Sequence, residues 1–232
     1  LRPETVFGIT NMFVNPEAEY EMVEVDGEKL WLSQAGAEKL SHQGKKLKKL
    51  GSKKGGEFVG ELIEGPLGKK IPVLPAGFVD ADNASGFVHS VPAHAPFDLV
   101  AIEELKKNRK ELEKYKDKKL EEKVNAIELI SLIEVKEFGE FPAQELVQRM
   151  KIANTREKQK LEKATKELYS KEFYEGKLKK NCAQFAGLSV ADAKVKVGDF
   201  LKAKGKAFDF YETSRQAQCR CGGKVIAAIM AE

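Results

Sequence analysis

The 232-residue sequence has little of what supports a secreted or membrane-spanning architecture. Its three cysteines are an odd number without the spacing of a disulfide framework, which fits a reducing compartment. No apolar run approaches the roughly 20 residues of a membrane span, and no secretory signal is visible. These absences exclude a disulfide-stabilised secreted domain, and we expect a cytoplasmic protein without membrane contact.

Several familiar enzyme signatures are also missing from the sequence. It contains no P-loop, no G-x-S-x-G elbow, no H-E-x-x-H and no dinucleotide fingerprint. Residues 51–56 (GSKKGG) share only their composition with phosphate-binding loops. Cys219 and Cys221 form a C-x-C pair, but a zinc site needs about four ligands and a second pair is lacking. We therefore expect neither a metal nor a nucleotide cofactor.

Charge is abundant and unevenly distributed. There are 40 basic and 36 acidic residues, a net charge of +4. Residues 45–54 hold six lysines and no acidic residue, whereas residues 106–123 and 156–180 each carry nine basic and five acidic residues. Clustered basic charge indicates a polyanion partner such as RNA. The two mixed tracts are better explained as solvated helix faces with i,i+4 pairs, while the lysine run fits RNA contact or a mobile loop.

Residues 1 to about 100 are predicted to be mainly β. Asp26-Gly27 lies between two alternating apolar segments and predicts a hairpin over residues 22–32. Ser33 is expected to cap a helix over residues 34–40. Further strands are predicted over residues 5–14 (with a kink at Gly8), 58–63, 71–74 and 86–91. Short strands with frequent turns suggest a small barrel or sandwich.

The pattern changes at Asp98. Helices are predicted over residues 99–120, 142–150, 156–174 and 189–203, and strands over 126–135, 208–211 and 224–230. The fold class is therefore α+β: a small β-barrel core with packed helices and a basic helical insertion. We expect one domain over residues 1–232, with a β core from 1–98 and 205–232 and the insertion from about 99–204. Both ends are expected to be cut from a longer polypeptide.

Two segments combine the residue types of a reactive site. Residues 1–8 (LRPETVFG) join an arginine, a carboxylate and a hydroxyl, and residues 84–98 (ASGFVHSVPAHAPFD) deliver Asp98 to the start of a helix. The first resembles the threonine-rich strand of the editing domains of leucyl-, isoleucyl- and valyl-tRNA synthetases. The second, S-V-P-A-H-A-P-x-D, is similar to the leucyl type of archaea and eukaryotes, as are residues 71–75 (IPVLP) and 219–226 (CRCGGKVI).

The resemblance implies a function. Such editing domains hydrolyse the ester of a wrong amino acid on the tRNA 3′ end, as a second sieve. The implied partners are the 3′ end of tRNA(Leu) carrying a non-cognate amino acid and the rest of the synthetase. No cofactor is implied for editing, because ATP serves only the parent enzyme's synthetic site. The signatures of that site, H-I-G-H and K-M-S-K-S, are absent.

The resemblance also implies roles for individual residues. Asp98 matches the aspartate that binds the substrate ammonium, and Thr5 matches the threonine that keeps leucine out. The candidate substrate-binding residues around them are Arg2, Phe7, Gly86, His89, Ser90, Val91 and His94. Two departures stand out: the usual G-T-G reads Ala84-Ser85-Gly86, and the family's threonines before the arginine would lie at or before Leu1.

Each role has a structural alternative. Asp98 could be a helix N-cap, alone or in addition to binding substrate. Thr5 could be a packing residue, and Arg2 an exposed terminal side chain. His94 could be a general base or a loop residue, and His89 could line the pocket or face solvent.

Two alternative functions remain at this stage. One is the same fold with isoleucyl or valyl specificity. The other is an RNA-binding module without catalysis, for which the basic tracts alone would suffice.

Overall fold

The computed structural model describes residues 2–213 and 217–229. The chain divides into two compact units. The first unit comprises Leu1–Met12, Gly60–Leu74 and His89–Ala207, and the second comprises Phe13–Val59, Pro75–Val88 and Phe208–Glu232. The expected division into a β core and an insertion therefore stays a prediction, although the whole helical segment 99–204 falls in the first unit.

The second unit contains the predicted hairpin and capped helix. Strands β2 (Glu19–Val25) and β3 (Glu28–Ser33) pair antiparallel with Val25 opposite Glu28. Asp26 and Gly27 have φ values of 50° and 85°, the left-handed conformation that a two-residue hairpin turn needs. Ser33 then caps helix α1 (Gln34–Ser41), because its Oγ accepts a hydrogen bond of 3.0 Å from the amide of Gly36. Both predictions are confirmed.

The lysine run is a strand, so the loop prediction for it is wrong. Strand β4 (Leu47–Lys54) pairs antiparallel with β2 and completes a three-stranded sheet of order β3-β2-β4. Backbone pairing with β2 supplies the hydrogen bonds of β4, and an edge strand leaves lysine side chains free to face solvent. A short 3₁₀ segment, Gly55–Glu57, follows.

The first unit begins with a 3₁₀ helix instead of the expected strand. The helix spans Pro3–Gly8, and strand β1 starts only at Asn11 and ends at Val14. Pro3 at the first helical position has its φ preset for a helical turn. A Cβ on Gly8 would lie 2.7 Å from Cδ1 of Leu132, so a larger residue here would have to displace that side chain.

The expected closed barrel is wrong, whereas the α+β class is confirmed. Strands β5 (Leu62–Glu64), β6 (Lys70–Pro75) and β7 (Phe87–Ser90) join β1 in a sheet of order β5-β6-β1-β7. A further pair of strands, β8 (Ile133–Glu134) and β9 (Lys177–Leu178), is separate. Among the described residues no sheet closes on itself, because each has two edge strands.

Helices make up most of the remainder of the first unit. The single helix expected over residues 99–120 is three: α2 (Pro96–Lys107), α3 (Arg109–Leu112) and α4 (Leu120–Asn125). Asn108 causes the first break, since its side chain caps α3 through a 3.3 Å bond from the amide of Glu111. The later helices match their predictions to within about two residues. They are α5 (Pro142–Arg149), α6 (Lys158–Glu175) and α7 (Val190–Ala203).

Several expected strands do not form. Of residues 126–135 only Ile133–Glu134 is paired; before it, Ile127 and Leu132 are buried and Leu129 and Ile130 are partly buried, all without regular secondary structure. Of residues 58–63 the first three are turn, and only Leu62 and Ile63 are in a strand, as the start of β5. Residues 208–211 are unpaired, and Lys224 forms only an isolated bridge with Gln218, while residue 230 lies outside the described residues. Apolar character marked burial without strand pairing at Ile127 and Leu132, whereas Phe208, Tyr211, Val225 and Ile229 are both outside strands and exposed.

No helix within the described ranges is long and apolar enough to cross a bilayer.

Candidate functional site

Arg2 is held by a cage of charged and aromatic groups in the first unit. Its Nε donates to Oε1 of Glu4 at 2.8 Å, and its Nη1 donates to Oε2 of Glu172 at 2.6 Å. Its guanidinium lies 4.3 Å from the ring centroid of Tyr169. Burial opposes the charged form, but the carboxylates of Glu172 and Glu4 raise the pKa of Arg2 above its ordinary value. Arg2 is therefore a fixed cation and not a freely exposed side chain.

Thr5 lies within the 3₁₀ helix that Arg2 precedes. Its Oγ1 donates to the carbonyl oxygen of Arg2 at 2.8 Å, and its amide donates to the same oxygen at 3.0 Å. Thr5 is buried. Because the hydroxyl is engaged with the backbone, the side-chain orientation of Thr5 is fixed relative to Arg2.

Asp98 occupies the third position of α2, not the N-cap. The N-cap is Ala95, so the N-cap alternative for Asp98 is wrong. Its Oδ2 accepts a 2.8 Å bond from the amide of Val91, the only hydrogen bond of Asp98 among the described residues. Burial raises the pKa of Asp98 to about 7, against the opposing effect of the Val91 amide. Asp98 is thus a nearly buried carboxyl group with one oxygen left for another donor.

The hydrogen bonds of His94 define its tautomer. The amide of Leu132 donates to Nε2 at 2.8 Å, so Nε2 carries no proton. Nδ1, 2.6 Å from Oε1 of Glu172, then carries the proton and donates to that carboxylate. Both ring nitrogens are engaged and the side chain is 1% exposed. In this arrangement His94 has no free lone pair for water, which favours a positioning role over that of a general base.

The end of β7 supplies three further candidates. The hydroxyl of Ser90 is buried and has no hydrogen-bond partner within the described part of the chain. Val91 packs in the apolar core, and only its amide reaches Asp98. His89 is partly buried, and burial lowers its pKa to about 4, so the imidazole is neutral at physiological pH. Their contact with substrate stays a prediction.

Phe7 and Gly86 occupy packing positions. The ring of Phe7 lies 5.9 Å from that of Phe185, against the apolar core of the first unit. Gly86 belongs to the second unit, where its φ is +76° and its carbonyl accepts a 2.8 Å bond from the hydroxyl of Tyr20. A Cβ on Gly86 would lie 2.6 Å from Cβ of Ser33, so glycine is required there for packing.

Two residues of the site, Tyr169 and Glu172 of α6, are missing from the sequence prediction. Burial, with Asp98 as the next cause, raises the pKa of Tyr169 to about 12, so its hydroxyl stays protonated. Glu172 is fully buried. A signal for it existed: Leu161, Ala164 and Leu168 form a buried stripe at helical spacing, and Glu172 continues it. A glutamate in an apolar stripe indicates a buried partner.

The chemistry of the site is that of charge recognition. Asp98 has one carboxyl oxygen without a partner among the described residues, and its carboxyl group is near enough to Tyr169 to contribute to the raised pKa of that phenol. In the described ranges no group of three or more histidine, cysteine, aspartate or glutamate side chains is placed to hold a metal ion. The described cysteines are buried at Cys182 and exposed at Cys219 and Cys221.

Comparison with known sequences gives consistent matches. A family model described as leucyl-tRNA synthetase, editing domain, matches residues 1–153. The leucine–tRNA ligase of Archaeoglobus fulgidus is 42% identical over 233 residues, covering 99% of this chain and 24% of that protein. The leucine–tRNA ligase of Staphylothermus marinus is 44% identical over 230 residues, covering 98% and 23%. The chain thus spans about a quarter of the length of the curated relatives it matches.

Solved structures share the fold. The crystal structure of GlLeuRS-CP1 has 28% sequence identity and a TM-score of 0.81, covering 92% of this chain and 82% of that one. The P. falciparum cytosolic leucyl-tRNA synthetase editing domain has 21% identity and a TM-score of 0.80, covering 91% and 77%. The second match, at that identity, is a likeness of fold alone.

Proposed function

Because the chain belongs to the leucyl-tRNA synthetase editing-domain family, we propose that it hydrolyses the ester of misaminoacylated tRNA(Leu). The relatives that match across nearly the whole chain are leucine–tRNA ligases, which disfavours isoleucyl or valyl specificity. The reaction is editing alone, since the chain carries neither signature of the synthetic site.

The observation on which this proposal depends is the environment of Asp98. An aminoacyl ester differs from most cellular esters by its free α-ammonium group, and a buried carboxylate with one unengaged oxygen is suited to bind it. The pKa of Asp98, raised by burial to about 7, means that an incoming cation would draw the carboxyl group into its ionised form. Binding of the substrate cation and ionisation of Asp98 are therefore coupled.

In the proposed reaction a water oxygen attacks the ester carbonyl carbon. The bond from that carbon to the ribose oxygen breaks, the ribose oxygen leaves with a proton, and the products are a free amino acid and intact tRNA. In this proposal Asp98 fixes the ammonium and Thr5 limits the space for the cognate side chain, the roles that the family resemblance implies. The proposal requires no metal or organic cofactor, because the residues supply binding and orientation while water is the nucleophile.

The proposed partners are the 3′ end of a misacylated tRNA(Leu) and the remainder of the synthetase polypeptide, working in the cytoplasm. Strand β4 supports the tRNA partner. Lys46, Lys48 and Lys54, in or beside this strand, are exposed. An exposed row of cations along a strand edge suits the phosphate backbone of RNA.

The test is deacylation of isoleucyl-tRNA(Leu) and leucyl-tRNA(Leu), measured side by side. We expect the isoleucyl ester to be cleaved and the leucyl ester to persist. Asp98→Ala should lower kcat/KM by about a hundredfold or more, because the substrate cation loses its buried partner. Asp199→Ala, which alters an exposed aspartate of α7, is the matched control and should have no effect.

A second variant for the same deacylation assay is Thr5→Ala. Removing a methyl and a hydroxyl should let leucyl-tRNA(Leu) be cleaved at least about tenfold faster, in line with the weight of one methylene in a pocket. Equal or absent cleavage of both esters by the unaltered chain would refute the proposed function. RNA binding without ester cleavage would instead favour the non-catalytic module.

A further inference from the structure

Helix α6 was expected to be a solvated helix, and most of it is. Its second half nevertheless places a fully buried carboxylate in the site. Glu172 lies beyond residues 1–153, the part of the chain that the family model matches. No motif therefore marks it, and its role has to be argued from its contacts.

Glu172 joins the two segments that the sequence singled out. Its Oε2 accepts from Arg2 at 2.6 Å, and its Oε1 accepts from Nδ1 of His94, also at 2.6 Å. Both bonds are strengthened by the charge of the carboxylate, one donor being a cation and the other an imidazole N–H, and Glu172 and His94 are buried from water. A single side chain thus fixes one residue of each segment.

Further hydrogen bonds connect Arg2 to Thr5 and His94 to Asp98. On one side, the carbonyl of Arg2 accepts from both the amide and the hydroxyl of Thr5. On the other side, the amide of His94 donates to the carbonyl of Val91 at 2.9 Å, and the amide of Val91 donates to Asp98. Glu172 is therefore linked to Thr5 by two successive contacts and to Asp98 by three.

Stability alone does not account for a glutamate at this position. An apolar residue would continue the stripe formed by Leu161, Ala164 and Leu168. Replacing a buried ion pair by well-packed apolar side chains is often neutral or stabilising. What the carboxylate adds is direction: it accepts the Nδ1 proton that the Leu132 amide requires His94 to carry, and it orients the Arg2 fork.

We propose that Glu172 is a positioning residue for ester hydrolysis, which holds the Thr5 segment and the Asp98 loop in register through Arg2 and His94. This inference rests on the proposed function. Glu172 acts through its neighbours, so its loss should affect the step that depends on alignment of the bound ester and should leave binding of tRNA largely intact.

The experiment compares Glu172→Gln with Glu162→Gln, an exposed glutamate on the same helix. A glutamine retains an acceptor for His94 but turns donors toward Arg2, so only one of the two contacts survives. We expect kcat for isoleucyl-tRNA(Leu) to fall about tenfold or more with KM within about threefold, because alignment and not binding is lost. Glu162→Gln should leave both constants unchanged.

A second measurement does not depend on activity or on the folding of a variant. The chain has three histidines, so ¹⁵N-resolved spectra of the imidazoles are readily assigned. In the unaltered chain we expect His94 to be neutral and protonated at Nδ1. A proton on Nε2, or an imidazolium at neutral pH, would overturn the proposal.

The remaining outcomes are also decisive. A folded Glu172→Gln chain with the kcat of the unaltered chain overturns the positioning role. A loss of activity that only parallels loss of folded protein, followed by circular dichroism at the assay temperature, does so as well. If the unaltered chain cleaves no aminoacyl ester while His94 shows the expected tautomer, the proposed function fails although the geometry around Glu172 holds.

Discussion

At the residue scale, the features of Asp98 that suit it to bind a substrate cation also lower the stability of the folded chain. Its carboxyl group is buried with a single amide donor, so ionisation in the folded state costs free energy that ionisation in the unfolded chain does not. The same feature makes the group receptive to a substrate cation. Sites of this kind are commonly less stable than a neutral substitute would make them.

Asp98→Asn should therefore stabilise the chain in a pH-dependent way. The folded-state pKa, about 7, is raised above the ordinary 3.8, so the folded state holds the proton more tightly. The unaltered chain should then lose stability as the pH rises from about 4 through 7, whereas asparagine does not titrate. From pH 5 to pH 8 the gain from the substitution should grow by roughly 2 to 3 kcal/mol, at about 1.36 kcal/mol per pKa unit.

Urea unfolding of both chains across this pH range measures the gain. Asp199→Asn, at an exposed aspartate of α7, is the control and should show no such growth. A pH-independent difference for Asp98→Asn would contradict the raised pKa.

At the element scale, β4 and α6 differ from what the distribution of charge along the sequence predicted. The lysine run, for which RNA contact or a mobile loop was expected, is a paired edge strand, while the mixed tract of α6 contributes the buried Glu172 that pairs with Arg2. In β4 the lysine side chains project from a strand that is hydrogen-bonded to β2. In α6 the exposed face carries salt bridges of the ordinary i,i+4 kind, such as Lys171 with Glu175 at 3.2 Å.

Removal of cations beside β4 should weaken tRNA binding. In Lys46→Gln with Lys48→Gln, two exposed lysines lose their charge. The slope of log affinity against log salt should fall by about 1.5, since each phosphate contact contributes roughly 0.7 to 0.9. Fluorescence anisotropy with labelled tRNA(Leu) at several salt concentrations gives the slope.

The matched control for this experiment is Lys163→Gln with Lys166→Gln, two exposed lysines of α6. We expect the control to leave the slope unchanged. An equal decrease for both pairs would show that net charge, and not the strand, governs tRNA binding.

At the scale of the whole molecule, the chain is two compact units of mixed α and β structure, with the Arg2, Asp98 and Glu172 cluster in the first. The second unit carries the hairpin, helix α1 and the lysine strand. In this cluster Arg2 pairs with Glu4 and Glu172, whereas Asp98 accepts only from the amide of Val91, so the described carboxylates do not gather around a common centre.

Ester cleavage should therefore be insensitive to removal of metal ions from the protein. We expect a chain dialysed against EDTA, then assayed in the standard tRNA buffer, to keep its rate within about twofold, because water and not a metal hydroxide is the proposed nucleophile. Metal analysis of the dialysed protein completes the measurement. Loss of the rate, restored by one added metal, would contradict the mechanism.

The sequence by itself determined the features that depend on a few neighbouring residues. Asp26-Gly27 specifies the hairpin because those residues accept positive φ, and Ser33 specifies a helix start because its hydroxyl replaces a missing acceptor. The family resemblance also singled out Asp98 and Thr5 from short motifs, and their roles stay predictions. The positions of the later helices followed from apolar spacing.

Only the tertiary structure decided which of these residues meet. Arg2 and Glu172 are 170 positions apart, and His94 and Glu172 are 78 apart, so no local pattern relates them. The pairing of β4, the failure of the sheets to close and the raised pKa of Asp98 likewise depend on what packs around each segment. Propensity acts along the chain, whereas burial and hydrogen bonding are set by neighbours in space.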